Sequence, residues 1–170
     1  MINSPKMQAL IDDATKFIGV HETGYNDGPM IEIFQSIIGK PMHQSWCVDF
    51  VQYCVNEVDK KLGTKTILFP TESSHFLWAK TDPAYRIGLP VPGCIQVWAD
   101  YNAAGVPNGL GHVGIVREVL SSDFVLTVEG NTSPGPGVQR EGDGVYLKRR
   151  HTKVTTGSMR TLGFLLPWPA

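Results

Sequence analysis

Apolar residues in the first third of the chain recur every three or four positions, which is the spacing of one face of an α-helix. This pattern predicts an amphipathic helix from about Ser4 to Ile18. A second helix is predicted to begin at Pro29, since proline suits the first helical position, and to end at Gly39. The Gly/Asn-rich segment between the two helices, residues 24–28, is predicted to be a turn.

A third helix is predicted where Phe50, Val51 and Cys54 lie at helical intervals. Two lysines followed by Gly63 mark its end, because cations and glycine favour a helix C-terminus. Cys47 falls in the opening turn of this helix. A polar loop therefore becomes an amphipathic helix at a cysteine.

After residue 93 the pattern changes to short runs of β-branched and aromatic residues that are separated by turn residues. The predicted strands are Ile95–Trp98, His112–Val116, Phe124–Glu129, Val145–Arg149 and Leu162–Leu166. Helices followed by strands predict an α+β domain in which the N-terminal helices pack on one side of a C-terminal antiparallel β-sheet. Because no repeat or linker interrupts the sequence, residues 1–170 are expected to form one domain.

Composition changes this picture only at the basic C-terminal segment. The 170 residues are 42% hydrophobic and 18% charged, with a formal net charge of −1, as in an ordinary globular protein. Cations without acids follow Leu147 in the sequence, namely Lys148, Arg149, Arg150, Lys153 and Arg160. We interpret them as a solvated strand face, so no nucleic-acid partner is expected.

No targeting or membrane segment is visible in the sequence. No stretch approaches the roughly 20 apolar residues of a membrane helix, so no membrane insertion is expected. The N-terminal segment has the pattern of an amphipathic helix and not of a signal peptide. The protein is therefore expected to be synthesised in the cytoplasm in soluble form.

The three cysteines have no regular spacing, which argues against a disulfide framework and against a zinc site. No metal and no other cofactor is expected. Cys47 is the candidate nucleophile, because the free N–H groups and the positive dipole end of a helix N-terminus stabilise a thiolate and lower the pKa of the thiol. The alternative is that Cys47 is a small buried hydrophobic residue, as Cys54 is expected to be.

His112 is the strongest candidate for the proton acceptor that a thiol nucleophile needs. Alternation in the strand from Gly111 to Val116 puts His112 and Gly114 on one face. In the next predicted strand Glu129 and Asn131 share a face, so a hairpin would bring a carboxylate or an amide to the imidazole. The alternative is a strand histidine satisfied by a backbone carbonyl, and His43, close to Cys47 in sequence, also remains a candidate.

Three sequence motifs together resemble one known family. They are Trp46-Cys47 followed by Phe50-Val51, then Gly111-His112-Val113-Gly114-Ile115-Val116, then Val128-Glu129-Gly130-Asn131. In order and spacing they resemble the CHAP family, cysteine- and histidine-dependent amidohydrolases and peptidases. The resemblance implies a papain-like α+β fold and cleavage of an amide bond in peptidoglycan. It also implies a catalytic set of Cys47, His112, Glu129 and Asn131.

The chain departs from the family pattern at two places. Cys94 opens a predicted strand where related sequences commonly have aspartate, which puts a local turn hydrogen bond in question. Some members bind calcium through alternating aspartates ahead of the cysteine, whereas Glu22, Asn26 and Asp27 offer only a fragment of such a site.

The biological setting is predicted by analogy with the family. We expect a monomeric phage endolysin without a separate cell-wall-binding domain, which reaches the cell wall or periplasm after holin release or secretion. One alternative is an antibacterial amidase toxin neutralised by an immunity protein, and another is a non-catalytic module that binds cell-wall peptide. The sequence leaves open whether the scissile amide joins muramic acid to L-alanine or lies within the stem peptide or cross-link.

Overall fold

The computed structural model describes residues 4–39, 42–138, 141–153 and 157–169. In these ranges the α-helices are α1 Pro5–Thr15, α2 Pro29–Gln35, α3 Cys47–Leu62 and α4 Ser74–Lys80. Short 3₁₀ helices span Ser36–Ile38 and Pro83–Tyr85. Residues 24–28 form a turn, as predicted.

Helix α1 ends at Thr15, three residues before the predicted end. The chain leaves the helix because its next residues pair with the sheet. The N–H of Gly19 donates to the carbonyl of Val145, and Val145 in turn donates to the carbonyl of Val20. A tertiary contact therefore ends a helix whose apolar pattern continues.

Six strands form one antiparallel sheet in the described residues. They are β1 Arg86–Ile87, β2 Ile95–Tyr101, β3 Pro107–Val119, β4 Phe124–Thr132, β5 Gly144–His151 and β6 Met159–Leu165, in the spatial order β1-β6-β2-β3-β4-β5. The five predicted strands are all present, and each is longer than expected. The two-residue strand β1 was not predicted, because so short an element carries no alternation.

The helices pack on one face of this sheet. Val113 and Ile115 of β3 belong to the main hydrophobic core together with residues of α3. A Cβ atom on Gly130 of β4 would lie 2.7 Å from the Trp46 ring and 2.8 Å from Phe50, so glycine is needed where α3 approaches the strand. The predicted papain-like α+β fold is confirmed.

The opposite face of the sheet carries buried polar residues. A Cβ atom on Gly114 would lie 2.7 Å from the Glu129 side chain, which places both residues on this face with His112. Lys148 and Arg150 of β5 are also buried there, at 6% and 4% exposure. The interpretation of the basic segment as a solvated strand face is therefore wrong for these two cations. None of the helices in the described residues is both long and apolar enough to cross a membrane.

Candidate active site

Cys47 is the first residue of α3 and is held in place by the residue before it. The Trp46 ring stacks on Phe34 with 5.7 Å between ring centroids, and its Nε1 donates to Glu22 Oε1 at 2.7 Å. The other oxygen of Glu22 accepts the N–H of Asn26 at 2.9 Å. Glu22, considered above as part of a calcium site, thus anchors the start of α3.

A cleft of about 290 Å³ opens beside Cys47. Its lining residues are Gln44, Ser45, Cys47, Glu72, Ser73, Ser74, Gly109, Leu110 and Gly111. Gly109, Leu110 and Gly111, which precede His112 in the chain, form part of the cleft wall. They belong to β3 and not to a loop, because Tyr101 pairs with Pro107.

The Cys47 thiol contacts β3 at a point where this strand is not paired with β4. These strands pair only from Ile115 to Val119 on the β3 side, so Val113 has no partner in β4. Its backbone N–H instead donates toward the Cys47 sulfur, as does the N–H of Val48. Cys47 is therefore in contact with the backbone of the residue that follows His112.

Burial raises the pKa of Cys47 to about 12, and the nearby Asp49 adds to the rise. The N–H groups of Val48 and Val113 oppose this effect but do not balance it. The expectation that the helix N-terminus lowers the pKa of this thiol is wrong, because loss of solvation costs a thiolate more than a few N–H groups return. The thiol is protonated at neutral pH.

Asp49 is itself unusual. It is 4% exposed, and its Oδ1 has no hydrogen-bond partner among the described residues. Burial raises the pKa of Asp49 to about 8, and the negative charge of Glu72 in the cleft wall adds to the rise. At neutral pH the Asp49 carboxyl group is therefore largely protonated.

His112 and Glu129 form a buried pair on adjacent strands, as predicted. Nε2 of His112 lies 2.8 Å from Glu129 Oε2, and neither side chain is exposed. Nδ1 of His112 is buried and has no hydrogen-bond partner among the described residues. Because an ionised carboxylate only accepts, Nε2 carries a proton, and in the neutral imidazole Nδ1 then has the free lone pair.

Glu129 has partners for both oxygens. Oε1 accepts from Thr127 Oγ1 at 2.5 Å and from Arg150 Nε at 2.7 Å. Oε2 accepts from Arg150 Nη2 at 2.5 Å in addition to His112. Burial, the largest influence, raises the pKa of Glu129, but the hydrogen bonds and charges of Arg150 and His112 outweigh it and bring this pKa down to about 2. Glu129 is therefore ionised across the accessible pH range.

Asn131 differs from His112 and Glu129 in its backbone conformation. A β-bulge between Glu129 and Thr132 interrupts the strand, and Asn131 adopts a left-handed φ of 53°. Its Oδ1 accepts the N–H of Gly142 at 3.3 Å, while its buried Nδ2 has no partner among the described residues. The bulge means that simple alternation does not fix the direction of this side chain.

Arg150 was missed as a site residue by the sequence reasoning. A signal was present, because alternation puts Lys148 and Arg150 on one face of their strand. Because Thr127 pairs with Lys148, this face of β5 lies beside the face of β4 that carries Glu129. What the sequence lacked was the strand register that brings the two cations under β4.

The structure also shows the contacts of Cys94 and His43, two further residues that the sequence singled out. The sulfur of Cys94 accepts the N–H of Val91 at 3.4 Å, so the local turn bond is kept without an aspartate. His43 lies 3.8 Å from Asp27 and is exposed.

The fold and this arrangement are those of a papain-like α+β protein with a cysteine at a helix N-terminus and a histidine–glutamate pair on adjacent strands. The sequence model of the CHAP domain matches residues 39–131, more than half of the chain and the segment that contains Cys47, His112 and Glu129. The chain belongs to the CHAP domain family, and membership implies amidase or peptidase activity toward peptidoglycan. Comparisons with curated proteins and with solved structures found no match.

Proposed function

We propose that this protein hydrolyses an amide bond of peptidoglycan with Cys47 as nucleophile and His112 as general base. One observation carries the proposal. Nε2 of His112 is engaged by Glu129 while Nδ1 has no partner among the described residues, and the N–H of the next residue, Val113, donates toward the Cys47 sulfur. His112 thus has a ring nitrogen free to take up a thiol proton, and its neighbour in the chain contacts that thiol.

The protonation states define the steps. Because burial keeps Cys47 protonated, its sulfur attacks the amide carbonyl carbon as its proton passes to Nδ1 of His112. The imidazolium then protonates the leaving amine as the C–N bond breaks, which leaves a thioester on Cys47. Water then attacks the thioester carbonyl as its proton passes to His112, the C–S bond breaks to release the acid, and the proton returns from His112 to the Cys47 sulfur. Glu129 holds the imidazole in the tautomer that both steps need.

The oxyanion needs donors that are free in the resting protein. The backbone N–H of Cys47 is one, since the first N–H groups of a helix have no intrahelical partner. Gln44, which lines the cleft, and Asn131, whose Nδ2 is unpartnered, are the candidates for the second donor. Ser45 is less suited, because its hydroxyl donates to Glu141 at 2.5 Å.

Purified sacculi provide the direct test. The wild-type protein is expected to release soluble muropeptides, and Cys47→Ala and His112→Ala are expected to release none. Cys54→Ala is the matched control, because Cys54 is a fully buried thiol on the same helix that does not line the cleft. Mass spectrometry of the products identifies the bond, since an amidase frees intact stem peptides and an endopeptidase leaves residues on the glycan.

Release by Cys47→Ala at the wild-type rate would refute the cysteine mechanism. Binding to sacculi by the wild-type protein without any release would instead support the non-catalytic module.

We further propose that the protein acts as a monomeric phage endolysin that is made in the cytoplasm and reaches the wall after holin release. This assignment rests on family analogy. A holin gene beside the coding sequence would support it, whereas a neighbouring immunity gene would favour the toxin.

A further inference from the structure

Arg150 shares the buried polar face with Glu129 and His112. Its guanidinium donates to both oxygens of Glu129, at 2.7 Å from Nε and 2.5 Å from Nη2. Such a two-point contact fixes the plane of a carboxylate as well as its distance. Trp98 encloses the group from one side, with its ring 5.7 Å from the His112 ring and 5.8 Å from the Arg150 guanidinium carbon.

Arg150 also contacts residues 133–137, the covering segment of this face. Its Nη1 donates to the carbonyl of Gly137. Lys148, two residues earlier on β5, donates to the carbonyls of Ser133 and Gly135 in the same segment. The two buried cations therefore hold the same covering segment, but the hydrogen bonds to Glu129 come from Arg150.

We infer that Arg150 is a positioning residue of the proposed active site: it holds the Glu129 carboxylate charged and in one orientation, so that His112 keeps Nε2 bound to Glu129 and Nδ1 free to act as the base. The inference rests on the proposed function for its consequence in activity, but the arrangement itself is measurable without substrate.

The charged and titratable groups around Glu129 define what removal of Arg150 does. They are His112 from β3, and Lys148 and Arg150 from β5. Without Arg150 the burial of Glu129 is opposed mainly by His112, so the carboxylate takes up a proton at higher pH than before. A protonated Glu129 no longer holds the imidazole tautomer that the reaction uses.

The test compares Arg150→Met with Lys148→Met in the pH profile of kcat/KM on muropeptides. For Arg150→Met the acid limb is expected to move to higher pH by about one unit or more, so that kcat/KM falls roughly tenfold or more at pH values below the wild-type limb and recovers at higher pH. Arg150→Lys, which restores charge without the two-point contact, is expected to lie between wild type and Arg150→Met. Lys148→Met disturbs the same covering segment and is expected to keep the wild-type profile.

The Glu129→Gln background protects the test against a folding defect, because removing both charges leaves neither one buried and unpaired. In that background Arg150→Met is expected to cause no further shift of the profile. Equal effects of Arg150→Met and Lys148→Met would overturn the inference, because they would show that both cations only hold the covering segment.

A second measurement separates this inference from the proposed function. In ¹H–¹⁵N spectra the Nε2 proton of His112 is expected to give a slowly exchanging signal in wild type and Lys148→Met, and to lose it in Arg150→Met. If the wild-type protein shows no hydrolysis yet this pattern holds, the proposed function fails and the positioning by Arg150 stands. An unchanged signal in Arg150→Met overturns the positioning role.

Discussion

Asp49→Asn is expected to make the protein more stable at pH 8 and to leave its stability at pH 4 nearly unchanged. Asp49 lies in the first turn of α3, is 4% exposed, and has a buried Oδ1 without a hydrogen-bond partner among the described residues. Burial and the charge of Glu72 raise the pKa of Asp49 from 3.8 to about 8. Asparagine has nearly the shape of the protonated acid and cannot ionise.

The direction of the pH dependence follows from the number of protons bound by the folded and the unfolded protein. Between pH 4 and pH 8 the folded protein keeps the Asp49 proton while the unfolded chain has lost it, so the free energy of unfolding falls as pH rises through this window. At about 1.4 kcal/mol per pKa unit, the loss has an upper limit of about 6 kcal/mol at pH 8. Because relaxation and water entry reduce such penalties, we expect Asp49→Asn to gain about 2–4 kcal/mol at pH 8.

Urea unfolding at pH 4, 6 and 8, monitored by tryptophan fluorescence, measures these differences. The corresponding rise in Tm at pH 8 is roughly 5–15 °C for a chain of this size. Asp123→Asn is the matched control, since Asp123 is exposed and should give no such gain. Glu72→Gln removes the second cause of the shift and is expected to give a smaller gain in the same direction. A difference between Asp49→Asn and wild type that is the same at pH 4 and pH 8 would refute the reasoning.

Two further outcomes follow from the site. Alkylation of Cys47 by iodoacetamide is expected to be slow at pH 6 and to accelerate beyond pH 9, with Cys54 and Cys94 slower still because they are fully buried. Peptide mapping measures these rates. A rate that reaches its plateau below pH 7 would show a preformed thiolate instead. Gly114→Ala is expected to lower the rate of hydrolysis roughly 10- to 100-fold, because the alanine Cβ would lie 2.7 Å from Glu129 Cγ and displace the carboxylate. Circular dichroism is expected to show that the fold is retained. Wild-type activity in this variant would contradict the geometry.

The elements of the site could be predicted because they depend on local spacing. Helical periodicity placed Cys47 in the opening turn of α3, where the structure has it as the first residue. Alternation placed His112 and Gly114 on one face, and a hairpin brought Glu129 to that face, as the 2.8 Å contact confirms. Each of these predictions needed only neighbours a few residues apart.

Other features depended on contacts that spacing does not encode. The bulge that turns Asn131 into a left-handed conformation breaks the alternation on which its prediction rested. Helix α1 ends early because Gly19 and Val20 pair with β5, more than a hundred residues away.

The amino-acid sequence by itself determined the fold class, the family and the pairing of His112 with Glu129, because periodicity and short motifs are properties of residues close together in the chain. Only the tertiary structure decided the electrostatics of the site. The pKa of Cys47 rises, and does not fall, because packing removes the thiol from solvent. Arg150 is a partner of Glu129, and not a surface cation, because strand register and the covering segment bury it. Burial is the sum of contacts from distant segments, and charge in a protein depends on burial more than on sequence position.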